Sequence, residues 1–311
     1  MRYFVFVGLF PIKKANLKEY AMIKIIVNKH AGSGKAADAL NTVEEILRSK
    51  NIGYVVFDTE ETHDALPLAK EVCAQEDTDT VIVLGGDGTL HQVLNGFDNF
   101  EKINLGIIPC GTGNDFAAAA NLPTDIAKSL DVILTGNAKH TDYFQMGDIR
   151  GINAIGTGID VDVLVRYAKH KKRTKSTYLK SLLSSLIHFK PYCIAKTVNG
   201  ETTERSSLIV LAANGKYIGG GLNVAPDSVM DDGLIDIVVV DSMRKPALPF
   251  ALVKLLKGKI LKLKQTTLER AKEVLIKLKD ESGPVQVDGE IYSGVPMDIK
   301  LVSGKLKVFR P

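Results

Sequence analysis

The run VIVLGGDGTLHQVLNG, Val81 to Gly96, joins an apolar strand directly to a helical pattern through a glycine-rich turn that carries one carboxylate, Asp87. Two further segments share this design. NKHAGSGK, Asn28 to Lys35, and PCGTGNDFA, Pro109 to Ala117, each follow an apolar run and lead into a helix. Repetition of strand, tight turn and helix specifies a parallel sheet with helices on both faces. The turns then gather at the carboxyl ends of the strands, where open sheets of this kind take ligands. Glycine lets peptide N–H groups approach an anion without an intervening Cβ, and the helix start adds partial positive charge. One such loop alone reads equally well as a tight turn; three at successive sheet positions point to one phosphate-binding crevice.

Two common versions of that crevice are disfavoured. AGSGKA lacks the spacing of a Walker loop, because Lys29 stands where the first glycine belongs and Ala36 replaces the hydroxyl residue that would hold magnesium. No G-x-G-x-x-G follows the first strand, which argues against a dinucleotide-dependent dehydrogenase.

Strand patterns at Ile23 to Val27, Gly53 to Phe57, Val81 to Leu84 and Ile103 to Ile108 alternate with helical ones at Ala36 to Ser49, Asp64 to Cys73 and Thr89 to Phe97. A further helix is expected after Leu122, with Pro123 near its start and Gly136 just past its end. Beyond Asp142 the texture becomes β-rich, with short runs at Ile194 to Val198, Ser207 to Ala212, Leu234 to Val240, Val274 to Leu278 and Met297 to Val302 and a hairpin signal at Asn199-Gly200. Helical patterns interrupt it at Val161 to Phe189 and in SMRKPALPFALVKLLKGK. The expectation is an α/β domain over residues 22–141, to which residues from about 300 to 311 return, and a β domain over 142–299. Residues 1–21 read as an appendage, since Met22 opens a better strand and the apolar run from Tyr3 to Ile12 is too short to span a bilayer and has no small-residue cleavage site.

With 311 residues, 45% of them hydrophobic, the chain can fill two cores. A net charge of +4 is too mild for a dedicated nucleic-acid binder, and aromatic stacking residues are sparse near its basic runs. Three cysteines, Cys73, Cys110 and Cys193, lack metal-ligand spacing and suggest a reducing, cytoplasmic setting.

GGDGT followed by LHQVLNG, and then GTGNDFA, resembles the diacylglycerol kinase catalytic domain superfamily, in particular the soluble bacterial lipid kinases related to diacylglycerol and sphingosine kinases. The resemblance runs from Met22 onward. It implies an N-terminal three-layer parallel-sheet nucleotide domain and a C-terminal β-sandwich lipid-substrate domain with a helical insertion, the active site lying in the interdomain cleft. At His91 and Gln92, where the family often has Asn and Glu, this chain departs and puts no acid at position 92.

The activity implied is transfer of the γ-phosphate of ATP, with Mg²⁺, to a lipid hydroxyl, diacylglycerol above all. Such transfer needs the phosphates held, their charge neutralised and a base near the attacking hydroxyl. Nucleotide contacts are expected from Asn28, Gly34, Lys35, Gly85, Gly86, Asp87, Gly88, Thr89, Gly111, Thr112, Gly113, Asn114, Asp115 and Glu290. Asp87 reads as a magnesium or catalytic carboxylate, or as a helix cap; for Asp115 capping is nearly as strong a reading as ligand contact. Asp288, in VQVDGEIY, reads locally as a hairpin Asp-Gly. The resemblance makes it the general base, with Asp142 as the carboxylate paired with it and Lys35 as the lysine of the first loop. Asp231 and Asp232 before Gly233 read as a turn, whereas the resemblance places a structural Mg²⁺ on Asp231 and the carbonyl of Leu234.

The segment from Arg166 to Lys175 holds six Lys and Arg and no acid, and Arg244 to Lys264 holds seven and no acid, each beside apolar residues at helical spacing. They read either as solvated helix faces or as surfaces that dock transiently on anionic membrane, making the protein peripheral. The partners expected are therefore a lipid, such a membrane and, as an option, a second copy in a homodimer. Two other functions compete. An NAD kinase also uses GGDGT but is disfavoured by GTGNDFA, and a sensing module without turnover is disfavoured by the presence of Asp87, Asp142 and Asp288.

Overall fold

The computed structural model describes residues 4–6, 22–59, 65–171, 174–188, 190–278 and 283–311. The chain forms two compact units, Met1–Thr141 with Gly304–Pro311, and Asp142–Ser303.

In the first unit the elements are β1 (Phe4–Phe6), β2 (Ile23–Val27), α1 (Lys35–Ser49), β3 (Tyr54–Asp58), α2 (Ala65–Cys73), β4 (Thr80–Gly85), α3 (Asp87–Gly96), β5 (Asn104–Pro109), α4 (Asp115–Ala119) and α5 (Ile126–Thr135). Strands β3, β2, β4 and β5 pair in that order and all in parallel. Alternate residues divide between the two faces, so Ile25, Val27, Ile82 and Leu84 bury one apolar row against Val43 and Leu47 of α1 and Leu130 and Ile133 of α5. Helices α2 and α3 pack on each other, α2 against β2 and α3 against β4, which completes three layers. Gly96 permits that packing, since a Cβ there would lie 2.4 Å from the Leu66 carbonyl oxygen. Helix α5 starts later than Pro123 suggests, because the Asp125 side chain accepts the Lys128 N–H and fixes the first turn there. Of the 1–21 segment, the described residues Phe4–Phe6 form β1, antiparallel to β3. The remainder of that reading lies outside the described residues.

Strand β6 (Ala138–Met146) carries the chain into the second unit, which continues with β7 (Ile149–Gly151), β8 (Ala154–Gly158), α6 (Ile159–Ala168), α7 (Lys175–His188), β9 (Tyr192–Val198), β10 (Glu201–Ala213), β11 (Tyr217–Ile218) and β12 (Leu222–Asn223). There follow β13 (Ile235–Asp241), α8 (Leu248–Leu256), β14 (Thr266–Ala271), β15 (Glu273–Leu278), β16 (Val285–Val287), β17 (Glu290–Tyr292) and β18 (Met297–Phe309). Asn199 and Gly200 both have positive φ, 50° and 83°, and close the β9–β10 hairpin. The long β10 pairs with β9 through its first half and with β8 through its second, while β13 lies along its other edge. Ile235, Ile237 and Val239 of β13 enter the sandwich core with Phe144, Val210 and Ile276. Their neighbours Val238 and Val240 point the other way, into apolar clusters that reach α8 and its surroundings. The last residues of β18 belong to the first unit, where Lys307 and Val308 pair in parallel with Asn104 and Leu105 of β5.

Candidate active site

Because β2, β4 and β5 are adjacent and parallel, the three glycine loops leave the sheet side by side. Their backbones touch. A Cβ on Gly111 would lie 2.5 Å from the Gly86 Cα, and one on Gly32 would lie 1.9 Å from the Cys110 carbonyl oxygen. Side chains tie the loops further, Asn28 donating to the Thr89 hydroxyl at 3.4 Å and accepting the His30 N–H at 3.1 Å. Gly32, Ser33 and Gly34 all have positive φ before α1 begins, which makes this a turn that only glycine-rich sequence enters without strain. In the third loop Asn114, at φ 57°, clamps Gly111 from both sides: its Oδ1 accepts the Gly111 N–H and its Nδ2 donates to the Gly111 carbonyl, each at 2.9 Å. The starts of α1, α3 and α4 thus share one end of the sheet, where Lys35 and Thr112 are exposed.

Asp87 caps a helix, but not its own. The α3 cap position, Gly86, makes no side-chain bond, while the Asp87 carboxylate accepts the N–H groups of Asp115 and Phe116 at 3.2 and 3.4 Å, the first turn of α4. It therefore fastens the second loop to the third. His91 and Gln92 lie in α3, His91 buried with its ring beside Asn95 Nδ2 at 3.4 Å.

In the second unit Asp288, at φ 52°, accepts three backbone donors: Ile152 N at 2.8 Å on Oδ2, and Asn153 N and Ala154 N at 2.8 and 3.0 Å on Oδ1. Asp142 is buried, and its Oδ2 accepts the Gly233 N–H at 2.8 Å. The segment that carries Asp142 and the one that holds Asp288 are bridged by one side chain. Asn214 Nδ2 donates to the Asp142 carbonyl and to the Ile152 carbonyl, both at 2.8 Å, and Ile152 holds Asp288. The donors to Asp288 come from residues 152–154, the bend into β8 and its first residue, and the donor to Asp142 comes from the 231–234 turn. Glu290 is exposed at the start of β17. Burial, then the negative charge of Glu290 and Asp288, raises the Tyr292 phenol above its ordinary value.

At the 231–234 turn Asp232 accepts the Leu234 N–H at 3.0 Å, and Asp231 is exposed. No group of three or more acidic, His or Cys side chains positioned for a metal occurs among the described residues. One carboxylate and one carbonyl suit a hard cation that keeps most of its water.

A large apolar pocket that no sequence pattern signalled lies on the helix side of β10 and β13. It has about 740 Å³ of atom-free space, its open mouth included, and is walled by α6, α7 and α8, with Leu182, Leu211, Val238, Leu252 and Leu255 among its lining. One charged residue lines it: Asp160, 5% exposed, whose two oxygens meet no donor at hydrogen-bonding geometry. Burial pushes its carboxyl up to about 7, offset in part by the nearby Val161 N–H and the Gln286 side chain. Gln286 stands on β16 two residues before Asp288, and a Cβ on Gly156, its partner across β8, would meet Asp160 Oδ2 at 2.6 Å. The pocket therefore ends beside the strand that leads into the Asp288 turn.

A three-layer parallel sheet with converging glycine loops, followed by a β-sandwich, defines the class of kinases built on a diacylglycerol kinase or NAD kinase type of fold. Residues 22–146 match the model of the diacylglycerol kinase catalytic domain, and residues 153–310 match that of the YegS C-terminal NAD kinase beta sandwich-like domain. The chain belongs to this family and is a lipid kinase. It is 30% identical to a diacylglycerol kinase of Mycobacterium tuberculosis over 94% of this chain and 96% of the relative. With a diacylglycerol kinase of Staphylococcus carnosus it shares 28% identity over 90% and 92%. A diacylglycerol kinase structure from Bacillus anthracis superposes with a TM-score of 0.76 at 26% identity, covering 94% and 98% of the two chains. An NAD kinase from Archaeoglobus fulgidus, at 14% identity and a TM-score of 0.50, shares the fold alone.

Proposed function

We propose that the protein transfers the γ-phosphate of ATP to the free hydroxyl of diacylglycerol, giving phosphatidic acid and ADP. The observation that carries the lipid half is the pocket: its lining is almost wholly apolar, and its polar end lies beside the Asp288 strand, as an acyl chain with a reactive alcohol at its head requires. Support for the nucleotide half comes from the three loops, whose backbone contacts and helix starts suit a triphosphate. In this reading the hydroxyl oxygen attacks the γ-phosphorus, the bond to the β,γ-bridging oxygen breaks, and the hydroxyl proton passes to the Asp288 carboxylate. Lys35 and Thr112 contact phosphate oxygens. When bound, Mg²⁺ would neutralise charge on the phosphates, and Asp87 would be a loop carboxylate to hold it, through water where its oxygens accept the α4 N–H groups.

We also propose that the enzyme works as a peripheral protein on anionic membrane. No described helix is long and apolar enough to cross a bilayer. Helix α7 exposes Leu179, Leu183 and Ile187 along one stripe, and α8 exposes Phe250, Val253 and Leu256. These helices wall the pocket, and no Asp or Glu occurs from Val163 to Gly200 or from Ser242 to Leu268. Basic side chains near an anionic surface contribute about 1 kcal/mol each, and apolar ones can enter the headgroup layer.

The test is to incubate the protein with labelled ATP, Mg²⁺ and detergent-dispersed diacylglycerol, ceramide, sphingosine or undecaprenol, with NAD alongside. Label is expected chiefly in diacylglycerol and is expected to vanish with Asp288→Asn. Label in another lipid would reject the substrate, and wild-type turnover by Asp288→Asn would remove that residue as base.

A further inference from the structure

Asn214 stands at the end of β10, is 1% exposed, and uses both hydrogens of one amide group on carbonyls from two different segments. The Asp142 carbonyl belongs to β6, the strand that carries the Asp142 carboxylate. The Ile152 carbonyl belongs to the peptide stretch whose N–H groups grip the other, Asp288. Backbone bonds from Asn214 N and Gly215 N to the Asn153 carbonyl, both 2.9 Å, hold the amide itself in place. An –NH₂ group is the one short side-chain donor that can serve two carbonyls at once; an aspartate of the same shape would set an oxygen against both. This orientation leaves Asn214 Oδ1 buried without a protein donor.

We propose that Asn214 is a positioning residue that sets the spacing of Asp142 and Asp288 for the phosphoryl-transfer step, an inference that rests on the reading of those two carboxylates as a working pair. Asn214 touches neither carboxylate and acts through the Asp142 and Ile152 peptides. Its loss should therefore alter the chemical step and leave nucleotide binding as it was.

The experiment compares Asn214→Ala, Asn214→Ser and Asp288→Asn with the wild type, using 1,2-dioctanoylglycerol in detergent micelles and ATP with Mg²⁺. Thr78→Val is the control: it deletes a buried hydroxyl bond to the Val72 carbonyl, 2.8 Å long, in the first unit. Asn214→Ala is expected to lower kcat at least tenfold with KM for ATP within twofold, and to move the acid limb of the kcat–pH profile. Asn214→Ser, which keeps a donor for one carbonyl, should fall between. Thr78→Val should lower Tm and keep kcat. A kcat within twofold of wild type in folded Asn214→Ala, while Asp288→Asn is inactive, would overturn the inference and leave the base assignment standing; if Asn214→Ala does not fold, Asn214→Ser carries the same criterion. An active Asp288→Asn would instead remove the working pair on which the inference depends.

Discussion

Asp160 lies in the first turn of α6, where burial outweighs the nearby amide donors in setting its proton affinity. A carboxyl raised to about 7 in the folded chain, against 3.8 for the unfolded reference, binds its proton more tightly when folded. Its effect on stability is therefore absent at low pH, grows as pH rises above about 4, and is complete above about 7, as a loss on the order of 4 kcal/mol. Asp160→Asn is expected to raise Tm at pH 8 by much more than at pH 5, and equal differences at the two pH values in thermal melts would contradict this. Gly111 is the second critical residue. Its substitution by Ala forces a Cβ against the Gly86 Cα at 2.5 Å and Asn114 Oδ1 at 2.8 Å, backbone on one side and a clamped amide on the other. Overpacking of this kind costs typically about 1–3 kcal/mol. The expected outcome is a lower Tm and a several-fold higher KM for ATP, both read on the purified variant. The GGDGT and GTGND motifs signalled these glycines, but not that they would touch, since they are 25 positions apart in sequence.

Elements were legible where period and punctuation agreed. The strand-to-helix units of the first domain emerge at nearly their expected boundaries because buried parallel strands are continuous apolar runs bounded by glycine. Strand β8 escaped notice. Its sequence, AIGTG, has small residues because its neighbours approach too closely for larger ones: a Cβ on Gly156 would meet Leu211 at 2.4 Å. The same pressure hid the donors of Asp288, which are backbone groups and have no residue signature. Of the basic run from Arg166 to Lys175, Arg166 lies near the end of α6, Lys169 and Lys171 follow that helix, Lys175 opens α7, and Lys172 and Arg173 lie outside the described residues. The apolar residues at helical spacing read from the sequence are here found exposed along one stripe of α7, at Leu179, Leu183 and Ile187. Leu183→Asp combined with Ile187→Asp is expected to abolish cosedimentation with phosphatidylglycerol vesicles at low salt, while turnover of dioctanoylglycerol in micelles persists; unchanged cosedimentation would exclude this face as the docking surface.

At the scale of the whole molecule the chain leaves the first unit once and returns to it at Gly304. Leu306 and Val308 are fully buried there, and Phe309 joins the cluster under α1 and α5. Truncation after Ser303 strips the end of β18 from β5 and leaves an apolar parallel strand as an open edge. The shortened protein is expected to aggregate and to lose its cooperative melt, as light scattering and calorimetry would report. The sequence by itself determined the order of strands and helices, the placing of three glycine loops at strand ends, and the family, because these depend on short-range pattern and backbone freedom. Only tertiary structure decided that Asp87 caps α4, that Asn214 bridges the backbone segments carrying Asp142 and holding Asp288, and that a buried acid ends an apolar pocket. Those contacts join residues far apart in the chain, and which donor reaches which acceptor depends on strand register and packing that no local pattern encodes.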